Sequence, residues 1–215
     1  MKKSIGIILE GRDMLLYNQR CRDWTHYYDY LKPMKQTLSN AGCGIFSVCH
    51  AGQWLTGKVF NPDQLAEFSM DNGGRGDDGT DRPVLLAAMM AKGLAADYGF
   101  SYNNDGLRND LNTLKTHLLN HQGCALCNLR VGHIVTLVDA REVDGEVQVL
   151  AIDSYSESAD QRVAPHVREV IKDSKIVATV FNEANVAVGE THQYMAYWVS
   201  SDIVRDFNLL HKIQG

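Results

Sequence analysis

The chain has 215 residues, 45% of them hydrophobic and 22% charged, with a formal net charge of -5 at pH 7. That is the balance of a globular chain long enough to bury a sizeable core, read as a single domain over 1–215. No lysine- or arginine-rich run suggests a nucleic-acid partner, and the longest apolar runs fall far short of the roughly 20 residues of a membrane helix.

In chain order, Met1-Lys2-Lys3 and the apolar Ile5–Leu9 run are superficially like a secretion leader, but Glu10, Gly11, Arg12 and Asp13 interrupt it too early. The expected location is therefore cytoplasmic if the chain is complete, or secreted if a leader was removed. The first forty residues read as an aromatic, loop-like arm packed on the core, with Tyr17, Trp24, Tyr27, Tyr28 and Tyr30 as its rings. Five cysteines, an odd count, leave at least one thiol free, which fits a reducing compartment better than a disulfide scaffold.

The stretch Ser39-Asn40-Ala41-Gly42-Cys43-Gly44-Ile45-Phe46-Ser47-Val48-Cys49 stands out. Ser39 or Asn40 would cap a helix whose apolar face carries Ile45, Val48, Cys49 and Gly52. Cys43 would lie in its first turn, where free N–H groups and the helix dipole favour a thiolate. Glycines on both sides let another backbone approach closely. A buried structural cysteine after a glycine turn is the competing reading.

Gly57 is the expected stop of that helix, and Asn61-Pro62-Asp63 the start of the next. Residues 71–81 read as a mobile, solvated loop at a cleft edge, and their carboxylates lack the spacing of a calcium loop. Arg82–Asp97 reads as one helix, and Leu107, Leu111, Leu114 and Leu118 as the face of another. The period then changes: 124–130, 133–140, 146–153, 175–181 and 193–200 read as strands, with a final helix from Ser200 or Ser201 to about His211. Helices followed by strands imply an α+β fold with a largely antiparallel sheet. Cys124 and Cys127 have the spacing of half a zinc site without a second half, so two small buried strand residues are preferred, and no metal or cofactor is implied.

His133–Asp153 is a hairpin with Asp144-Gly145 at its turn. A strict two-residue turn pairs residues summing to 289 and puts His133 and Asp153 on opposite faces. A five-residue loop or a bulge, with a sum of 286, sets them directly opposite on one face; the apolar pattern favours this, because His133, Val135 and Leu137 would then share a face with Val147, Val149, Ala151 and Asp153. A thiol, an imidazole to take its proton and a carboxylate to orient the imidazole form a nucleophilic set. A lone histidine at a strand start is otherwise a satisfied core or edge residue.

Gly42-Cys43-Gly44-x-x-Ser47 resembles the nucleophile motif of papain-like cysteine peptidases of the bacteriocin-processing (double-glycine) type. Tyr17-Asn18-Gln19 before Asp23-Trp24, Gly79-Thr80 with a segment ending in Tyr98-Gly99-Phe100, Gly132-His133 and Ala151-Ile152-Asp153-Ser154 are similar to that family's other segments, over residues 17 to 155. Ile45-Phe46 and Ser154 depart from its pattern, and the last sixty residues match nothing in it. The resemblance implies a papain-like fold, with N-terminal helices packed on a mostly antiparallel sheet, and a cysteine peptidase acting on a peptide or protein substrate. Cys43 would be the nucleophile, His133 the base, Asp153 the orienting acid and Gln19 the oxyanion donor, with Gln36 its rival. His192 is an alternative base, and His50 is expected to pack. An acyltransferase with the same triad and a catalytically silent binding module are the alternatives.

Overall fold

A computed structural model describes residues 2–29, 36–155, 162–182 and 186–213. Tyr30 of the aromatic arm lies outside them.

The chain begins as strands β1 (Ser4–Leu9) and β2 (Arg12–Tyr17), an antiparallel hairpin paired from Ser4–Tyr17 to Leu9–Arg12. Its two-residue turn has positive φ at both Glu10 (47°) and Gly11 (74°), the backbone that matches strand twist. The supposed arm is therefore partly a hairpin, and Tyr17, Trp24 and Tyr28 are buried in the core. A single turn, α1 (Leu38–Ala41), leads directly into α2 (Cys43–Thr56). Neither Ser39 nor Asn40 caps α2. Asn40 instead accepts from the Thr37 N–H (3.4 Å), and Gly42 stands at the N-cap of α2. A Cβ on Gly42 would lie 2.5 Å from the Leu38 carbonyl oxygen, so only glycine permits the two helices to abut.

Helix α2 ends as expected at Gly57, in the left-handed conformation (φ 73°), and α3 (Pro62–Asp71) starts with the Asn61 side chain accepting from the Asp63 N–H at 2.9 Å. The 71–81 stretch is only partly the expected solvated loop: Asp71, Asp77, Asp78 and Asp81 are exposed, but the segment is pinned to the core. It forms β3 (Arg75–Gly76) and β4 (Gly79–Thr80), with Arg75 buried and donating to the Tyr28 and Gly79 carbonyls at 3.0 and 2.8 Å. Arg82–Asp97 is two helices, α4 (Arg82–Ala91) and α5 (Leu94–Asp97), broken at Gly93 (φ 77°). After β5 (Phe100–Ser101), helix α6 (Leu111–Leu119) starts at its Asp110 cap, leaving Leu107 outside and exposed.

The second half is β6 (Gly123–Leu129), β7 (His133–Val143), β8 (Glu146–Ile152), β9 (Val167–Val170), β10 (Lys175–Phe181), β11 (Ala187–Tyr194), β12 (Ala196–Ser200) and β13 (Val204–Lys212). The expected 193–200 strand is divided between β11 and β12, and the expected final helix is instead a short 3₁₀ turn and β13. Strand β6 is buried on both faces and needs a partner on each edge; β7 supplies one and β13 the other. The seven-stranded sheet runs β5-β13-β6-β7-β8-β12-β9 and is antiparallel throughout, so the α+β architecture stands.

Each face of the sheet carries its own core. Leu126, Val138, Leu150 and Trp198 face α2, whereas Val135, Leu137, Val149, Ala151 and Tyr197 lie on the other side with Leu114 and Leu118 of α6. Cys124 and Cys127 divide between the two cores, and all five cysteines are free thiols. Among the described residues no helix is long and apolar enough to cross a membrane.

Register is the part of the fold that matters most for function. From Val143–Glu146 to Asp139–Leu150, β7 and β8 pair around the two-residue Asp144-Gly145 turn. Val138 is then an extra residue in β7, and pairing resumes at Leu137–Ala151 and Thr136–Ile152. A bulge was one of the two expected devices, but it moves the sum only to 288. His133 and Asp153 are thus on one face as expected, yet diagonal rather than directly opposite. In this register the residue facing His133 is Tyr155, whose ring lies 5.8 Å from the imidazole.

Candidate active site

Cys43 is the first residue of α2 and keeps partial exposure, while the residues on either side of it are buried. Two hydrogen bonds lock its helix to β7: Ser47 Oγ donates to the Ile134 carbonyl (3.1 Å), and Thr136 Oγ1 donates to the Ser47 carbonyl (2.8 Å). Ser47 is one turn beyond Cys43, and Ile134 is next to His133. These bonds therefore hold the start of α2 against the start of β7, which brings Cys43 and His133 close enough for each to shift the other's titration. Close approach at the helix start also needs Gly44, because a Cβ there would lie 2.4 Å from Cβ of Thr80 on β4.

His133 is buried at the start of β7 and donates from Nε2 to Asp153 Oδ1 at 2.6 Å, leaving Nδ1 for the thiol. Asp153, fully buried just past β8, accepts two further hydrogen bonds: the Tyr155 N–H to Oδ1 (2.7 Å) and the Tyr197 hydroxyl to Oδ2 (2.8 Å). A buried carboxylate without such donors would be costly, and the Tyr155 N–H and Tyr197 hydroxyl supply them beside His133.

Burial by itself pushes the Cys43 thiol up. The hydrogen bond and positive charge of His133, with the Ile134 and Gly44 N–H groups, outweigh it and bring the thiol below its ordinary value. For His133, burial favours the neutral ring, but the charge and hydrogen bond of Asp153, and then Cys43, raise it well above an ordinary histidine. Both shifts run in the direction that favours a thiolate–imidazolium pair. Tyr197 is raised well above an ordinary tyrosine by burial and by the Asp153 charge, so it remains a donor. Tyr197→Phe is expected to slow any His133-dependent reaction of Cys43 about tenfold, the value of one hydrogen bond to a charged group, while Tm stays within a few degrees of wild type; pre-steady-state kinetics and thermal melts would check both.

Gln19 lies against the same turn. Its N–H donates to the Ser154 carbonyl (2.8 Å), and the Ser154 hydroxyl donates to its Oε1 (3.1 Å). The amide is thereby oriented, and among the described residues its Nε2 donates to no protein acceptor. Gln36 is committed elsewhere: its Oε1 accepts from Arg75, and its N–H donates to Asp29 Oδ2 at 3.3 Å. His192 is on β11, exposed and paired with Val177. His50 is fully buried, stacked on Tyr17, and accepts from the Tyr17 N–H at 2.9 Å; burial pushes it down to about 3.

No family model, curated protein or solved structure matches this chain. The site rests on its own geometry.

Three contributors were not assigned from sequence. Ser154, noted only as a departure from a motif, holds Gln19. Ser47 was quoted as part of the nucleophile motif without a role. Tyr197 gave no sequence signal, because its strand becomes a neighbour of β8 only through the sheet order. Among the described residues, no three His, Cys, Asp or Glu side chains converge as a metal site.

Proposed function

We propose that this chain is a thiol-dependent hydrolase of peptide or isopeptide bonds with a papain-like arrangement of helix and sheet. The observation that carries the reading is the start of the Cys43 helix held against β7 beside His133, which donates to the buried Asp153 carboxylate at 2.6 Å, with the thiol lowered and the imidazole raised.

In this reading the Cys43 thiolate attacks the substrate carbonyl carbon, and the carbonyl oxygen becomes an oxyanion held by the Cys43 N–H and Gln19 Nε2. The C–N bond breaks as His133 passes its proton to the leaving amine, giving a thioester on Cys43. Water then attacks the thioester carbon, and His133 takes the water's proton. The acid product leaves, and the thiolate–imidazolium pair is restored.

The test is the rate of Cys43 alkylation by iodoacetamide against pH, read by mass spectrometry on the whole chain. The thiolate forms as pH rises through the lowered Cys43 value, so wild-type labelling is expected to become fast at a lower pH than for a free thiol. Labelling does not slow on the alkaline side, because Cys43 remains a thiolate when His133 loses its proton. In His133→Gln the acidic limb moves up towards a free thiol, about 8.5. A wild-type profile that rises only near that free-thiol value, indifferent to His133, would overturn the hydrolase and leave a binding module.

A further inference from the structure

The first turn of α2 is covered by one side chain of the β3–β4 hairpin. All three side-chain heavy atoms of Thr80 face Gly44, the residue after Cys43: a Cβ on Gly44 would lie 2.4 Å from Thr80 Cβ, 2.5 Å from its Oγ1 and 2.9 Å from its Cγ2. The Gly44 N–H is one of the groups that bring the Cys43 thiol down. Where Thr80 sits therefore bears on where that N–H points.

Thr80 is held by more than packing. Its Oγ1 is 2.9 Å from the Tyr28 hydroxyl, which is 3.0 Å from Ser69 Oγ on α3. Tyr28 and Ser69 are fully buried, and Thr80 is half-buried. Among the described residues Tyr28 is the hydrogen-bond partner of Ser69 Oγ, and a buried hydroxyl proton needs an acceptor. Ser69 therefore donates to Tyr28, and the single phenolic proton goes to Thr80. Tyr28 is also fixed at its other end: its carbonyl accepts from Arg75 Nε at 3.0 Å, the Arg75 guanidinium lies 5.3 Å over its ring, and Arg75 pairs with Thr80 across the hairpin. Burial pushes Tyr28 up to about 12, with the Cys43 charge adding to it, so the phenol stays a donor wherever the thiol titrates. The hydroxyl and methyl of a threonine are nearly the same size, so packing on Gly44 alone does not choose between rotamers. The bond to Tyr28 does.

We infer that Tyr28 and Thr80 are positioning residues for the nucleophile: the hydrogen bond between them fixes the Thr80 rotamer over Gly44 and so holds the Gly44 N–H towards the Cys43 sulfur. The inference rests on the proposed role of Cys43. Both residues act through Gly44 and neither touches substrate. Without the bond, Thr80 turns against a backbone that has no room for it, the start of α2 shifts, and the N–H loses its alignment with the sulfur.

The test compares the acidic limb of Cys43 alkylation by iodoacetamide in wild type, Tyr28→Phe, Thr80→Val, Thr80→Ser and Ser69→Ala, with a thermal melt of each. Tyr28→Phe and Thr80→Val are expected to move the limb up by about half a pH unit, the order of one weakened neutral hydrogen bond, so that labelling at a fixed pH on the limb is about threefold slower. Thr80→Ser keeps the hydroxyl and stays closer to wild type than Thr80→Val. Ser69→Ala lowers Tm but leaves the limb in place, because Tyr28 still donates to Thr80. A limb that neither Tyr28→Phe nor Thr80→Val moves overturns the positioning role. So does a Thr80→Ser limb displaced as far as that of Thr80→Val, or an equal displacement in Ser69→Ala, which would mean a general loosening of the fold. None of these substitutions alters His133. The hydrolase reading is tested by wild type against His133→Gln, and the positioning role by the displacement of each variant from wild type, so the two fail in different arms.

Discussion

Replacing His133 is expected to lower the proposed peptide cleavage on the order of 10⁴-fold, because in that mechanism the imidazole both holds the thiolate and carries the proton in each half of the reaction. The variant must be chosen with Asp153 in mind. His133→Ala removes the group bonded to a fully buried carboxylate, leaving Tyr155 and Tyr197 as its donors, and stranding a buried charge costs about 3–5 kcal/mol. His133→Gln offers an amide N–H towards Asp153 Oδ1 and cannot accept a thiol proton. Both variants are expected to lose cleavage of a peptide library read by mass spectrometry, but only the alanine variant should lose several degrees of Tm. Asp153→Asn is milder: its carbonyl oxygen can still accept from His133 Nε2 while the Tyr197 hydroxyl turns to accept from the new amide. The rate falls less than in His133→Gln, because orientation is retained while the charge is lost. Cleavage by His133→Gln within tenfold of wild type would remove His133 from the mechanism.

A large effect on stability, with no catalytic group involved, is expected at Gly123, the first residue of β6. A Cβ there would lie 1.8 Å from the Leu210 carbonyl oxygen and 2.9 Å from its carbon. Those are backbone atoms of β13, at the point where Gly123 pairs with His211. The strain cannot be relieved by turning a side chain, so the two strands must separate at that end. Gly123→Ala is expected to cost about 3 kcal/mol or more, lowering Tm by about 6–12 °C. Gly6→Ala in β1 is the control: nothing lies within 4 Å of its Cβ, so Tm should stay within about 2 °C. Equal melting of the two variants would mean that β13 does not close on β6 in this way.

Much of the site was legible because its determinants are local. A cysteine between glycines at a helix start, Gly57 as a stop, and the Asn61-Pro62 start all depend on a few neighbouring residues. The shared face of His133 and Asp153 was legible from apolar alternation. Their diagonal pairing was not, since the position of a bulge depends on what Val138 packs against on the α2 face. The C-terminal segment failed for a different reason. Val204, Phe207, Leu209 and Leu210 suit a helix after Ser200-Ser201 as well as a strand, and the decision comes from the unpaired edge of β6, eighty residues earlier. The N-terminal hairpin was hidden because its turn is Glu10-Gly11, and Glu is an uncommon residue at positive φ. Ser154 was treated as a lost proline, whereas its hydroxyl is what orients Gln19.

The extra residue in β7 has a genetic corollary. Leu137–Ala151 and Asp139–Leu150 already pair on either side of Val138, so losing the Val138 codon in frame would close the ladder at the cost of one buried side chain, and His133 would keep its diagonal place beside Asp153. Losing the codon for Val149 or Leu150 on β8 has no such outlet: β7 would then carry two surplus residues, or the ladder would slip by one and turn the imidazole and carboxylate to opposite sides. Single-codon deletions along this hairpin should therefore be tolerated on one strand and inactivating on the other.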